Sequence, residues 1–270
     1  MNFMKLSIFT TMTEPEKRMD PWKEAIKCYE DYADEVITIG QEWPEEFRFD
    51  HIGKTFQKGF DLCSGDWVIR MDIDTFFHEK HINYLRTELK KLVDYPGIIF
   101  PKYQFFKPDR FHLKAKMCIA LNKRYFPDIK LNGGGDLCDP TLNGKVLDQH
   151  NLPNINLPIW NYDSTFKNKQ ILSEDRARFA RAWERQFGNW GDRGGGTPEV
   201  AFDAWFEMMK KRYQLHVVKM RIDKHPKYLQ KKLSNITKDM FGHSLFGHDI
   251  DVKRSPVSYY KGYKDYYLSR

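Results

Sequence analysis

Residues 65–82 read GDWVIRMDIDTFFHEKHI, and this stretch decides how the chain is understood. An apolar run, Trp67-Val68-Ile69, leads into Asp72 and Asp74 with one residue between them. A carboxylate left unpaired away from water costs several kcal/mol. Such a strand must therefore end where both acids meet solvent, a counter-charge or a cation. In an extended chain, residues two apart face the same way, which predicts Asp72 and Asp74 on one face with α-carbons roughly 7 Å apart. Two carboxylates at that spacing suit one hard divalent ion at metal–oxygen distances of about 2.0–2.6 Å. Oxygen donors with open positions favour Mg²⁺ or Mn²⁺ shared with substrate phosphates. A lone DxD also arises in ordinary loops and caps, so its surroundings carry the weight.

Upstream, KLSIFTTM (5–12) and EVITIG (35–40) read as buried strands, the second rich in β-branched residues. Between them, Asp20 as N-cap and Pro21 in the first turn open a helix with Trp22, Ala25, Ile26 and Tyr29 on one face. GKTFQKGFDLCS (53–64) is a short helix, and EKHINYLRTELKKLV (79–93) a longer one. GIIFPKY (97–103) supplies a fourth strand. Strands alternating with helices predict an α/β fold with a mostly parallel central sheet flanked by helices. Ligands of such sheets bind beyond the carboxyl ends of the strands, where Asp72 and Asp74 fall.

Beyond residue 104 the pattern loosens. KMCIALN (116–122) and LPIWNY (157–162) suggest strands, and LNGGGDLCDPTLNGK (131–145) a loop. Helices are expected over 173–187, capped by Ser173, and over 197–212, capped by Thr197. HVVKMRI (216–222) suggests a returning strand. The organisation expected is one domain in two halves, 1–104 and 105–250, with a C-terminal helical extension over 251–270.

At 270 residues, with 41% hydrophobic and 15% aromatic side chains, the chain can bury a core and is not of the disordered class. It has no apolar run long enough to span a bilayer. The first twenty residues read as a strand rather than a secretory signal. Four cysteines without CxxC spacing read as reduced thiols, which with that reading points to a cytoplasmic protein. A net charge of +7 suits an anionic partner such as a nucleoside diphosphate or a phospholipid head group.

SIFTTM, DEVITIG and FQKGFDLCSGDWVIRMDID together resemble the glycosyltransferases of GT-A type, close to the family 2 group. The likeness covers residues 4–100. Thr75 departs from it, standing where many relatives carry another acid. The resemblance implies a Rossmann-like nucleotide-diphospho-sugar transferase fold. It also implies transfer of a sugar from a UDP- or GDP-sugar to an acceptor hydroxyl, with Mn²⁺ or Mg²⁺ as cofactor. Asp74 is then the first direct metal ligand, and Asp72 divides between the metal and the donor ribose. His225 in DKHP is the candidate for completing the metal shell. Thr10, Thr11 and Glu14 would lie along the nucleoside, Gly40 and Gln41 under the base, and Lys54 and Lys58 near the diphosphate. Asp136 of NGGGD is the leading general base and Asp163 of WNYD the next, ahead of Glu199 and Asp203. Trp160, Tyr162, Trp183 and Trp190 are candidates for a sugar platform, and GDRGGGT for a lid or a plain linker. The expected partners are a nucleotide-sugar donor and a glycan or other hydroxyl acceptor, with no specific nucleic acid and no membrane span.

Two other classes stand beside this one. A sugar-phosphate nucleotidyltransferase would carry a glycine-rich basic loop near its start, and TTMTEPEKRMDP has no glycine. A non-catalytic basic module binding glycan or nucleic acid would concentrate its charge, whereas here the lysines and arginines are spread along the chain.

Overall fold

The structure, a computed structural model, describes residues 4–132, 138–236 and 255–268. It begins with β1 (Leu6–Thr11), α1 (Trp22–Tyr32), β2 (Glu35–Ile39), α2 (Asp50–Leu62), β3 (Trp67–Arg70) and β4 (Thr75–Phe76). Helix α3 (Ile82–Lys91), strands β5 (Gly97–Lys107) and β6 (Arg110–Asn122), the small hairpin β7 (Thr141–Leu142) and β8 (Lys145–Val146), and β9 (Ile159–Asn161) follow. Helices α4 (Lys169–Phe187) and α5 (Pro198–Tyr213), strand β10 (Val218–Lys219) and helices α6 (Lys227–Ser234) and α7 (Pro256–Leu268) complete it.

One sheet runs in the order β2-β1-β3-β6-β5-β9-β4, with β10 attached to β6. β1 is parallel to β2 and β3, and β5 to β9. The β3–β6, β5–β6, β4–β9 and β6–β10 pairs are antiparallel. The α/β class holds, but the sheet is mixed where a mostly parallel one was expected. The physical reason is the turn Pro108-Asp109, which folds β5 directly back into β6. Proline presets the backbone for such a turn, and a tight hairpin can only be antiparallel. Ten of the eleven residues of β5 are buried, so no alternation marked its true length.

Alternation does govern the first strands. Leu6, Ile8, Trp67 and Ile69 enter the core under α1, α3 and α6, while Phe9 and Val68 face α2 and α4 on the other side. Helix α2 lies close because Gly59 has no side chain. A Cβ there would stand 2.5 Å from the Phe9 ring and 2.7 Å from Ile39.

Two capping expectations change. Asp20 does not cap α1, whose N-cap is Pro21. Helix α4 starts a turn before Ser173, capped by Asn168, whose side-chain oxygen accepts from the Ile171 N–H at 2.8 Å. The Ser173 hydroxyl donates to the Lys169 carbonyl instead. No helix among the described residues is long and apolar enough to cross a membrane.

Candidate active site

Because β1 and β3 lie parallel, their carboxyl ends open on the same edge of the sheet. A cleft of about 510 Å³ sits there. Thr11 and Thr13 reach it from β1, and Arg70, Asp72 and Asp74 from β3. The β5–β6 hairpin adds Gln104 and Lys114, while α4 and α5 close the far side with Arg176 and Arg212.

Asp72 and Asp74 are not held in an extended strand. The Thr75 N–H donates to the Asp72 carbonyl at 2.8 Å, closing a β-turn with Ile73 and Asp74 at its centre. The Thr75 hydroxyl donates to that same carbonyl at 2.7 Å, and the Tyr29 hydroxyl lies 2.7 Å from it and 2.8 Å from the Thr75 carbonyl. Thr75 thus staples the turn through its own hydroxyl and N–H. Ile73 drops into the core, and the two carboxylates are left at the cleft.

The two acids differ. The Asp72 side chain is 40% exposed and meets the Arg70 guanidinium at 3.1 Å, while Arg70 lies over the Phe56 ring. Asp74 accepts a long hydrogen bond, 3.4 Å, from the Asn161 amide. Its pKa is pushed up to about 7, by burial first and then by the carboxylates of Asp163 and Asp72. Burial would raise Asp163 as well, but Arg176 donates to both of its oxygens at 3.0 and 2.8 Å. With Lys167 and Lys114 nearby, Asp163 is held well below the usual carboxylate range. A proton or a cation at this cluster would therefore settle on Asp74 first.

A buried charge network joins the cleft floor to α4. Lys167 lies 3.0 Å from Asp20 and 2.7 Å from Asp175, and Arg18 lies 3.4 Å from each. Asp20 is pushed up by burial against its two cations. Asp175 is also buried, but Arg18, Lys167 and Arg176 more than offset this and hold it down. The network fixes residues 13–20, where Glu14 and Met19 take positive φ of 40° and 56°.

The opposite wall is aromatic: Trp43, Phe49, Phe56 and Phe179 line it. The irregular segment carrying Trp43 is tied to α4. Arg178 donates to the Glu45 and Pro44 carbonyls at 2.9 and 2.7 Å, Arg185 donates to the Phe47 carbonyl at 2.9 Å, and Arg181 and Arg185 pair with Glu46. Several buried polar atoms around the cleft lack a partner among the described residues: Thr10 Oγ1, Trp43 Nε1, Gln104 Oε1, Asn161 Oδ1 and Arg176 Nε. Unsatisfied groups of this kind gathered at one cleft are what a bound ligand would complete.

The expected site residues separate clearly. Thr11, Asp72, Asp74 and Asp163 line the cleft, and Thr10 is buried just behind it. Glu14 is exposed and pairs with Lys17, and Gln41 is exposed and donates to the Thr38 hydroxyl. Lys54 pairs with Asp50 on the outer face of α2, and Lys58 is exposed on that helix. None of these four lines the cleft. His225 is fully buried outside it, with Nδ1 2.7 Å from the Tyr162 hydroxyl and Nε2 2.7 Å from the Pro108 carbonyl. Both ring nitrogens are engaged, and burial holds its pKa down to about 4. It clamps the β5–β6 turn. Asp136 lies outside the described residues. Trp160 and Tyr162 stack on Phe105 in the core rather than forming a sugar platform. The glycine-rich joint is packed, since a Cβ on Gly194 would stand 2.7 Å from Ala204.

Sequence reasoning passed over Trp43, Arg70, Lys114, Arg176, Trp205 and Arg212, all of which line the cleft. Arg70 had a signal, a cation inside an apolar strand two residues before an acid. The others come from separate elements that only the fold brings together. Among the described residues, no group of three or more His, Cys, Asp or Glu side chains is arranged to hold a metal. Asp72 and Asp74 remain as a two-carboxylate donor set. No protein-family model and no curated protein sequence matches the chain.

Proposed function

We propose that this protein is a glycosyltransferase of GT-A type, moving a sugar from a nucleoside-diphosphate donor to an acceptor hydroxyl. The observation that carries the reading is the stapled turn presenting Asp72 and Asp74, at the carboxyl end of β3, to a cleft with one aromatic and one basic wall. The cleft volume falls within the range of about 300–1,000 Å³ common for small-ligand sites.

Trp43, Phe49 and Phe56 offer the base a flat apolar surface, with Thr11 and Thr13 beside the nucleoside. Arg70 reaches the diphosphate from the strand that carries the acids. The raised pKa of Asp74 comes from burial and then from the neighbouring carboxylates of Asp163 and Asp72, and a divalent cation would relieve that repulsion, so the pair would hold Mg²⁺ or Mn²⁺. Bound there, the cation would stabilise the charge that develops on the departing diphosphate. Asp163, with both oxygens taken by Arg176, orients groups and is a weak proton acceptor. Should transfer invert the anomeric centre, Asp136 keeps its place as leading base from the sequence, with Glu199 and Asp203 as alternatives.

The test is a melting experiment with UDP, GDP, CDP and dTDP, each with and without Mn²⁺. At least one pair of nucleotide and metal should raise the melting temperature, and Asp74→Asn should remove the metal-dependent part. Four nucleotides without effect on the wild type would sink the reading.

A further inference from the structure

The hairpin side of the cleft carries cations that form no ion pair among the described residues. Lys114 on β6 and Arg212 in the last turn of α5 line the cleft, and Lys102 on β5, 8% exposed, is buried behind them. None of the three has an ion-pair partner among the described residues. The nearby carboxylate Asp163 is already engaged at both oxygens by Arg176. A solvated surface face does not explain this arrangement, because Lys102 is buried and Gln104 beside it has an unsatisfied side-chain oxygen. Lys114 is pushed down to about 8, first by the walls around it and then by the cation of Lys102, with Arg212 and Arg176 adding to the effect and Asp163 opposing it. Like charges gathered without partners oppose folding, and an anion between them would reverse the sign.

These cations come from β5, β6 and α5, whereas Arg70 and Asp72, assigned to the donor, come from β3 and the turn after it. Resting on the glycosyltransferase reading, we propose that the acceptor is anionic, bearing a phosphate or carboxylate received by Lys114 and Arg212, with the charge of Lys102 behind them. The acceptor hydroxyl then faces the Asp72–Asp74 turn. Its oxygen bonds to the anomeric carbon, the carbon–oxygen bond to the diphosphate breaks with its electron pair going to the diphosphate, and the hydroxyl proton passes to a base.

The experiment is calorimetric titration of the full chain, preloaded with Mn²⁺ and each nucleoside diphosphate in turn, with glucose, glucose 6-phosphate and glucuronate. UDP-glucose and UDP-glucuronate are titrated in parallel. Charge-assisted hydrogen bonds predict that the two anionic sugars bind roughly ten- to a hundredfold tighter than glucose. Arg212→Gln and Lys114→Gln should bring that ratio toward one, with unchanged circular dichroism showing that both variants fold. Equal binding of neutral and anionic sugars overturns the proposal. So does a preference confined to UDP-glucuronate over UDP-glucose, which would place the anion on the donor. If no nucleoside diphosphate binds while the anionic preference persists and fades in both variants, the anion site stands and the transferase reading fails.

Discussion

Lys167 is buried behind the cleft floor, its side chain 2% exposed between Asp20 at 3.0 Å and Asp175 at 2.7 Å. Lys167→Met keeps most of the aliphatic volume and removes the cation. Arg18, at 3.4 Å from each, is then the one cation among the described residues within 4 Å of the two carboxylates, with Arg176 still acting on Asp175 from further off. Breaking a buried charge group from one side costs about 3–5 kcal/mol, and the surviving arginine puts the expectation near the lower end, about 3 kcal/mol. With an unfolding entropy of about 2.1 cal/mol/K per residue over this chain, that lowers the melting temperature by roughly 5 °C. Asp20, already pushed up by burial, loses its nearer cation and takes a proton more readily in the variant. The deficit should therefore shrink as pH falls into the carboxylate range. Urea unfolding followed by tryptophan fluorescence at pH 7 and pH 5 measures both effects. Adding Asp175→Asn should recover part of the loss, since the two side chains are in contact. A deficit below about 1 kcal/mol at pH 7, or one that does not change with pH, would refute the network as a source of stability.

Tyr29→Phe removes the hydroxyl that reaches the Asp72 and Thr75 carbonyls, and urea unfolding should show a loss of about 1–2 kcal/mol. An unchanged midpoint would mean the turn stands without it. Gly59→Ala forces a methyl against the Phe9 ring and should cost about 1–3 kcal/mol in the same assay; a neutral result would show that α2 can shift outward freely. Acid should destabilise the fold through buried neutral histidines. Burial lowers His112 to about 3 and His225 to about 4 from an ordinary 6.5. As pH falls below 6.5 the unfolded chain takes up these protons first, so stability drops by roughly 1.4 kcal/mol per pH unit per histidine until the folded values are reached. His225→Asn should flatten the slope of melting temperature between pH 6.5 and pH 4; an unaltered slope would exclude this histidine as its source.

Local signals in the sequence marked β1, α1, β2, α3 and β3 and placed Asp72 and Asp74 at a strand end, because each element carries its own periodicity or punctuation. The same signals failed where partners lie far apart in the chain. Asp20 has the look of a cap, yet its counter-charge is Lys167. His225 before proline suggested a ligand, yet Tyr162 and the Pro108 carbonyl claim both of its nitrogens. Alternation implies an extended DxD; the Tyr29 and Thr75 hydroxyls hold it in a turn, and one of them sits 43 residues away. The mixed sheet followed from one two-residue turn inside an apolar run with no alternation to mark it.

The ties from α4 to residues 44–47 set the order in which this molecule can be assembled. That stretch has no ladder or helix of its own, so its shape is borrowed from arginines more than 130 residues downstream. A fragment ending at residue 104 would hold β1, β2 and β3 yet leave Trp43 on an unanchored strap. The aromatic wall of the cleft is thus shaped by residues written late in the chain, and dissection at the midpoint would separate it from what shapes it.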